Sequence, residues 1–286
     1  MNFDHLPEDC CAHILSFTSP GDACRSSLVS SSFRATVDAD SVWRKFLPSD
    51  HKQILSRFVS PIAYSSSKDL FMKLCSPNLI DGGDKMFFIE KSTGKKCYML
   101  SARDLSITWG SHPLYWTWRP CLESRSKFRF AEVAELRTIW WLEICGTTNT
   151  QMLSPKTAYG AYLIIKIANR AYGLDTLPSE VSLEVGNSKS QSTIYLSKRN
   201  DSGKQASSEH EHFPKAVRAS RWRVLDEDRS GGRGGERGDG WMEVEIGSFY
   251  NGECDEKDVR MSLREVRGVH LKGGLIVEGI ELRPKQ

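Results

Sequence analysis

Residues 102–118 read ARDLSITWGSHPLYWTW and contain four large aromatic residues, Trp109, Tyr115, Trp116 and Trp118. A glycine and a proline lie between the first tryptophan and the tyrosine, which is typical of a turn. Two short aromatic strands that meet at a turn can present flat apolar rings beside polar groups, and such a surface suits a pyranose ring. The same aromatic pattern is also typical of β-sandwich core packing, so both interpretations remain open from the sequence.

The sequence from about residue 86 onward alternates apolar and polar residues, which predicts half-buried β-strands. In RTIWWLEICG, Trp140, Leu142 and Ile144 fall on one parity. We find no alternation of strand and helix patterns that would indicate a parallel sheet. The pattern therefore predicts an antiparallel sandwich or barrel. Its other alternating runs lie at residues 159–167, 181–185, 242–246, 259–263 and 280–282.

The first 48 residues differ from this region, because their apolar residues recur at helical spacing. Pro7 suits the first turn of one helix, and Ser19 is placed to cap a second. We predict three short helices here, a unit so small that a partner would stabilise it. Residues 49–85 are predicted to form a partly helical connector.

Composition excludes several classes of protein. The 286 residues carry 39 basic and 36 acidic side chains, a net charge of +3 that gives no reason to expect nucleic-acid binding. No apolar run approaches the roughly 20 residues that span a bilayer, and the acidic N-terminus is not a secretory signal. Eight scattered cysteines without a C-x-x-C motif predict reduced thiols, in the cytoplasm and nucleus. We expect no metal and no cofactor.

Two further segments invite a functional interpretation and do not sustain it. The insertion at residues 226–240 includes the Gly-rich run SGGRGGERGDG and is predicted to be disordered; no strand-to-helix context indicates phosphate binding. His210 and His212 have no further ligand motif nearby. A serine hydrolase is not indicated either, because the chain lacks a G-x-S-x-G motif.

The N-terminal helices resemble an F-box. The resemblance covers residues 3–48 and rests on LPEDCCAHIL, SPGDAC, the spacing V-x-x-x-F-R and VWRKFLP. It implies docking to the Skp adaptor of a cullin–RING ubiquitin ligase, and an exposed apolar face on a small helical unit suits such an interaction. The residues expected to face the adaptor, or to support those that do, are Leu6, Pro7, Ile14, Leu15, Pro20, Val29, Val42 and Trp43.

The remainder, residues 86–286, resembles the phloem-lectin family, whose best-known member is the tobacco lectin Nictaba. The resemblance rests on SITW at 106–109, YWTW at 115–118, EVAEL at 132–136, LSPKTAYGAYL at 153–163, GWMEVEIGSFYN at 240–251 and LIVEGIELRP at 275–284. It implies a jelly-roll-like β-sandwich that binds N-acetylglucosamine oligomers or the core of N-glycans.

The same resemblance implies four sugar-binding residues: Trp109, Trp116, Asp258 and Glu265. The family has glutamate where this chain has Asp258, whose side chain is one methylene shorter. Positions seven apart have opposite parity on a regular strand. Asp258 and Glu265 can therefore line one groove only if at least one of them lies off the strand or at a bulge.

Together, the two resemblances imply a non-catalytic substrate receptor that presents glycosylated proteins, bound through the lectin-like region, to a ubiquitin ligase. The alternative is a carbohydrate- or protein-binding module that acts outside a cullin complex. A glycosidase with paired carboxylates is disfavoured, because Lys257 and Arg264 would lower the pKa of the neighbouring acids rather than raise it.

Overall fold

A computed structural model of the protein describes residues 7–121, 130–198, 222–226, 240–253 and 256–285. The described part is mainly β, with six α-helices before residue 75 and fourteen strands after it. None of its helices has the length and apolar character needed to span a bilayer. Leu6, the two histidines at 210 and 212, and residues 227–239 of the predicted insertion lie outside the described residues.

The N-terminal unit contains four described helices, one more than the sequence predicts: α1 (Glu8–Leu15), α2 (Pro20–Ser26), α3 (Ser31–Asp38) and α4 (Asp40–Phe46). The extra break falls between α2 and α3. Ser30 is extended there, at φ −156°, and its hydroxyl accepts the N–H of Phe33 at 3.2 Å. This N-cap starts α3 as a separate helix and leaves Leu28 and Val29 in the turn before it.

Residues 49–85 contain α5 (His51–Ser56), α6 (Ser67–Leu74) and β1 (Asn78–Ile80). The helix α6 packs on α4, where the ring of Phe71 lies 5.2 Å from that of Trp43. The indole N–H of Trp43 donates to Val37 O at 2.6 Å. Arg57 joins the connector to the sheet through a two-pronged contact with Asp81, at 2.8 and 2.7 Å. The connector is thus packed into the same core as the helices before it.

The strands after β1 form two antiparallel sheets with it. Their bounds are β2 (Lys85–Ile89), β3 (Lys96–Ser101), β4 (Ser106–Ile107), β5 (Trp116–Pro120), β6 (Glu132–Leu136), β7 (Leu142–Asn149), β8 (Thr157–Tyr172), β9 (Ser179–Val185), β10 (Ser188–Lys198), β11 (Trp222–Asp226), β12 (Met242–Asn251), β13 (Asp258–Glu265) and β14 (Gly273–Pro284). The six-stranded sheet runs β11-β10-β9-β13-β7-β4, and the other eight strands form the second sheet. Their apolar faces share one core, in which Leu163 and Val277 of one sheet join Val181 and Leu263 of the other.

The strand β14 is the axis of the eight-stranded sheet. It pairs with β8 on one side, and on the other with β6 near its start and β3 near its end. Its 12 residues span about 36 Å at roughly 3.3 Å per residue. The segment just before Gly273 and the segment around Pro284 therefore mark two distant ends of the β region.

The helical unit packs at the Pro284 end of β14. The strand β3, which pairs with the last part of β14, begins at Lys96, and the ammonium of Lys96 contacts the Asp50 carboxylate at 3.0 Å. Gly94, in the preceding turn, has φ +71°, and a Cβ there would lie 3.3 Å from Phe46 O. A glycine permits both this backbone conformation and the close approach of the helical unit.

Trp43→Ala should lower the free energy of unfolding by about 3–5 kcal/mol, because the buried indole fills the space between α4 and α6. Ile14→Ala is the matched control: Ile14 is exposed, and its loss should change stability by less than about 1 kcal/mol. Urea unfolding followed by far-UV circular dichroism measures both. Equal losses for the two variants would contradict this assignment of core and surface.

Candidate functional site

The residues expected to bind sugar do not all come together. Asp258 and Glu265 are the first and last residues of β13, so about 23 Å of strand separates them. Trp109 lies at the Glu265 end: the N–H of the residue before it, Thr108, donates to Glu143 O at 3.0 Å, and Glu265 pairs with the neighbouring Leu142. Asp258 is exposed at the other end, beside a cavity of about 410 Å³ whose described lining contains no aromatic residue.

Trp116, which was expected to contact a ligand, is a core residue in the structure. Only 2% of Trp116 is exposed, because it faces the space between the two sheets. Its indole N–H donates to Thr108 O at 3.1 Å, while the indole N–H of Trp118 donates to Gly110 O at 2.9 Å. These two tryptophans support the turn that carries Trp109.

Three exposed or half-buried rings, Trp109, Tyr115 and Trp140, form a surface that we call the aromatic platform. Trp109 is 40% exposed and Trp140 is 44% exposed. The ring of Trp109 lies 5.1 Å from Tyr115 and 5.3 Å from Trp140, between centroids. Rings in such contact hold one another in place while leaving apolar surface open to solvent. Trp109 is thus accessible, as the resemblance implies.

The backbone at Trp109 explains why this indole points outward while its neighbours do not. Trp109 has φ +54°, a left-handed conformation that costs an L-residue about 1–2 kcal/mol. Hydrogen bonds from Gly110 N to Ile107 O and from His112 N to Trp109 O, both 2.9 Å, close the turn around it. Strain of this kind persists where the surrounding structure enforces it, and it gathers at functional sites.

Trp140 is a platform residue that the parity argument missed. It falls on the same parity as Leu142 and Ile144, but β7 begins only at Leu142, so the alternation does not extend back to it. Two adjacent tryptophans cannot both face inward from one strand. The doublet of Trp140 and Trp141 was therefore a signal that at least one indole faces solvent, and in the structure both are more than 40% exposed.

Polar groups border the tryptophan doublet. The indole N–H of Trp141 donates to Glu143 Oε2 at 3.2 Å, and Arg264 Nε contacts Glu143 Oε1 at 2.8 Å. All three side chains retain solvent access. Carboxylate and guanidinium groups beside exposed rings are the acceptors and donors that a polyhydroxylated ligand needs.

Glu265 lies behind the platform and is not open to a ligand. It is 4% exposed and forms an ion pair with Lys272, which is 1% exposed. Burial lowers the pKa of the Lys272 ammonium. The ammonium also donates to Trp140 O at 2.5 Å. Glu265 was expected to contact a sugar. In the structure its carboxylate contacts Lys272, whose ammonium donates to the backbone of the platform residue Trp140.

Some of the residues expected to face an adaptor are exposed, and others are buried. Pro7, Ile14 and Val29 are exposed, whereas the other described members are buried and can only support them. Phe17 and Leu28, each 78% exposed, were not in the predicted set. Both lie in turns just after a helix, where a search for helical periodicity gives no signal. The buried members are Leu15, Pro20, Val42 and Trp43.

Comparison with known families matches both parts of the chain. An F-box-like family model matches residues 3–49, and the phloem protein 2 model matches residues 95–284. The chain belongs to the F-box proteins of the phloem protein 2 family. F-box protein PP2-B15 of Arabidopsis thaliana is 48% identical over 286 residues, covering 98% of this chain and 96% of the relative. F-box protein VBF of the same plant is 44% identical, covering 98% of this chain and 99% of the relative.

Membership in the phloem protein 2 family identifies a lectin-like region that includes the aromatic platform and an F-box that includes the exposed helical residues. F-box proteins are adaptors rather than enzymes. A solved xylan-binding domain, CBM22-1 of Paenibacillus barcinonensis Xyn10C, superposes with a TM-score of 0.28 at 8% identity, covering 64% of this chain and 87% of that one. That likeness is too low to support a shared fold.

Trp116→Ala should lower the free energy of unfolding by about 3–5 kcal/mol, because it empties a core site and leaves Thr108 O without its donor. Trp109→Ala should cost about 1 kcal/mol or less. Trp109→Gly should be at least as stable as Trp109→Ala, since glycine adopts the left-handed backbone freely. Chemical unfolding of the three variants measures this order; an unfolding loss at Trp109 equal to that at Trp116 would refute it.

Proposed function

We propose that this protein is the substrate-recognition subunit of a Skp–cullin–F-box ubiquitin ligase, and that its β region binds N-acetylglucosamine-containing glycans or glycoproteins. One observation carries the proposal: the F-box and the aromatic platform lie at opposite ends of β14, within one continuous core. An adaptor bound at one end leaves the other end free for a target.

Sugar binding is supported by the platform itself. The C–H face of a pyranose can lie on the open face of Trp109, with Trp140 beside it and Glu143 within reach of the hydroxyls. The surface is shallow, so we expect an affinity of about micromolar or poorer for a single glycan. Selection of a target would then require several glycans or an additional protein contact.

Adaptor binding is supported by the apolar side chains that the F-box exposes. Ile14 lies on α1, Phe17 follows it, and Leu28 and Val29 lie in the turn before α3. Four large exposed apolar residues within 16 positions are unusual for a surface in contact only with water. A Skp-type adaptor, and through it a cullin, is the partner that we propose for them.

The finer organisation that we propose is the one that the sequence predicts. We propose an F-box at residues 1–48, a connector at 49–85 and a jelly-roll-like lectin sandwich at 86–286. The shared core of the two antiparallel sheets supports the sandwich. Action in the cytoplasm and nucleus is part of the same proposal, because ubiquitin ligases of this kind work there.

Trp109→Ala and Trp140→Ala should each weaken binding of an N-acetylglucosamine trimer about tenfold or more, because each removes part of the stacking surface. Isothermal titration calorimetry on the full chain measures this. Asp258→Asn is the control, since Asp258 lies at the other end of β13 and should not affect affinity. The lectin proposal fails if the unmodified protein binds no glycan. If only the control variant loses binding, the assignment of the glycan site to the aromatic platform fails.

Phe17→Asp combined with Leu28→Asp should reduce recovery of a co-expressed Skp-type adaptor by about tenfold or more, because a charge in an apolar contact is costly to desolvate. Val59→Asp is the control: Val59 is also an exposed apolar residue but lies outside the F-box. Undiminished recovery of the adaptor with the double variant would remove this surface from the interface. If the unmodified protein binds glycan but no adaptor, it acts outside a cullin complex.

A further inference from the structure

A lysine and a glutamate form a buried ion pair directly behind the aromatic platform. Glu265 ends β13, Lys272 immediately precedes β14, and the ammonium of Lys272 contacts Glu265 Oε2. Removing two charges from water is costly, and apolar residues of similar volume are often as stable or more stable in such a place. Stability alone therefore does not explain why these two charges are buried here.

The Glu265–Lys272 pair connects the loop between β13 and β14 to the segment that precedes β7. Glu265 Oε1 accepts the N–H of Gly268 at 3.0 Å, which fixes the loop between β13 and β14. The main chain of Lys272 exchanges two hydrogen bonds with Ile139, at 2.9 and 2.8 Å. Its side chain then donates to Trp140 O at 2.5 Å. The loop at 266–272 thus holds the segment at 137–141 through one charged group and one backbone bridge.

The orientation of Trp140 depends on this fastening. Trp140 precedes β7 and lies outside the named strands, so regular strand pairing does not fix its backbone. Its carbonyl oxygen accepts the charged donor of Lys272, and its ring lies 5.3 Å from Trp109 at an interplanar angle of 57°. A charge-assisted hydrogen bond is shorter and stronger than a neutral one. Loss of the ammonium should let Trp140 and its indole move, although the backbone bridge at Ile139 remains.

We infer that Glu265 and Lys272 are positioning residues for the aromatic platform: the carboxylate holds the ammonium, and the ammonium holds Trp140 against Trp109. Neither residue touches the ligand, since both are almost fully buried. As a role in glycan binding, this inference rests on the function proposed above. It also replaces the direct sugar contact that the family resemblance implies for Glu265 with an indirect role.

The test is a double-mutant cycle between Lys272 and Trp140, with an N-acetylglucosamine trimer as the probe and the full chain as the protein. Lys272→Met and Trp140→Ala should each weaken binding about tenfold, and the double variant should bind no more weakly than Trp140→Ala alone. That non-additivity is expected because the lysine acts through the tryptophan. Additive losses, or unchanged binding by Lys272→Met, would overturn the inference.

A second comparison separates positioning from direct contact by Glu265. Glu265→Gln preserves the shape of the side chain but removes the charge, and should weaken binding as much as Lys272→Met does. The double variant Glu265→Gln with Lys272→Met removes both buried charges, so its melting temperature should exceed that of either single variant. Its sugar affinity should nevertheless stay low. If Glu265 itself bound the sugar, Lys272→Met, which leaves the carboxylate in place, would bind like the unmodified protein.

A readout without sugar keeps the two proposals distinct. Adjacent indoles give a coupled near-UV circular dichroism signal, so Lys272→Met should remove the component that Trp140→Phe removes, and should change nothing further in a Trp140→Phe background. Lys96→Met is the matched control, because it breaks a Lys–Asp contact at the F-box end. An unchanged signal in Lys272→Met overturns the positioning role. Loss of the signal in a protein that binds no trimer supports the positioning role and refutes only the glycan proposal.

Discussion

The pairing of β14 is the constraint on which the rest of the structure depends. This strand has β8 along one side and divides its other side between β6 and β3. The two ends of β14 therefore have different neighbours. At the Pro284 end, β3 begins at Lys96, which lies beside the helical unit that contains the F-box. At the Gly273 end, Lys272 contacts the aromatic platform. The exposed apolar residues of the F-box and the aromatic platform therefore lie at opposite ends of one strand, so a partner bound at one surface would not block the other.

The platform end of this axis carries clear energetic costs. Trp109 has a left-handed backbone there, and Lys272 and Glu265 are charges removed from water. At the F-box end, the comparable pair is less buried, because a third of the Asp50 side chain remains exposed. Strain and buried charge lower the stability of a fold, so the rest of the structure must be stable enough to keep that site in its conformation. The extensive common core of the two sheets supplies this stability.

The alternation of apolar residues predicted the antiparallel β region well, because a half-buried strand has no other period. The runs at 159–167 and 259–263 lie within β8 and β13, as expected. Alternation alone does not distinguish buried from exposed aromatic residues at positions 102–118. Trp109 lies in a turn with a left-handed backbone and is 40% exposed, whereas Trp116 begins β5 and is 2% exposed. Such differences arise from the closed turn, which residue type alone does not encode.

The two acidic positions at 258 and 265 show what strand parity predicts about side-chain exposure and what it cannot predict. Their opposite parity was evident from the sequence, and the strand keeps it: Asp258 is exposed and Glu265 is buried. No bulge in β13 brings the pair to one groove, since its register against β7 is continuous from end to end.

What the sequence could not show is the partner of the buried carboxylate. Lys272 is seven residues further on, beyond a loop, and only the pairing of Lys272 with Ile139 brings its ammonium between Glu265 and Trp140. A residue that resembles a ligand contact in a motif can therefore act one layer behind the ligand, and its role is then decided by tertiary pairing rather than by residue type.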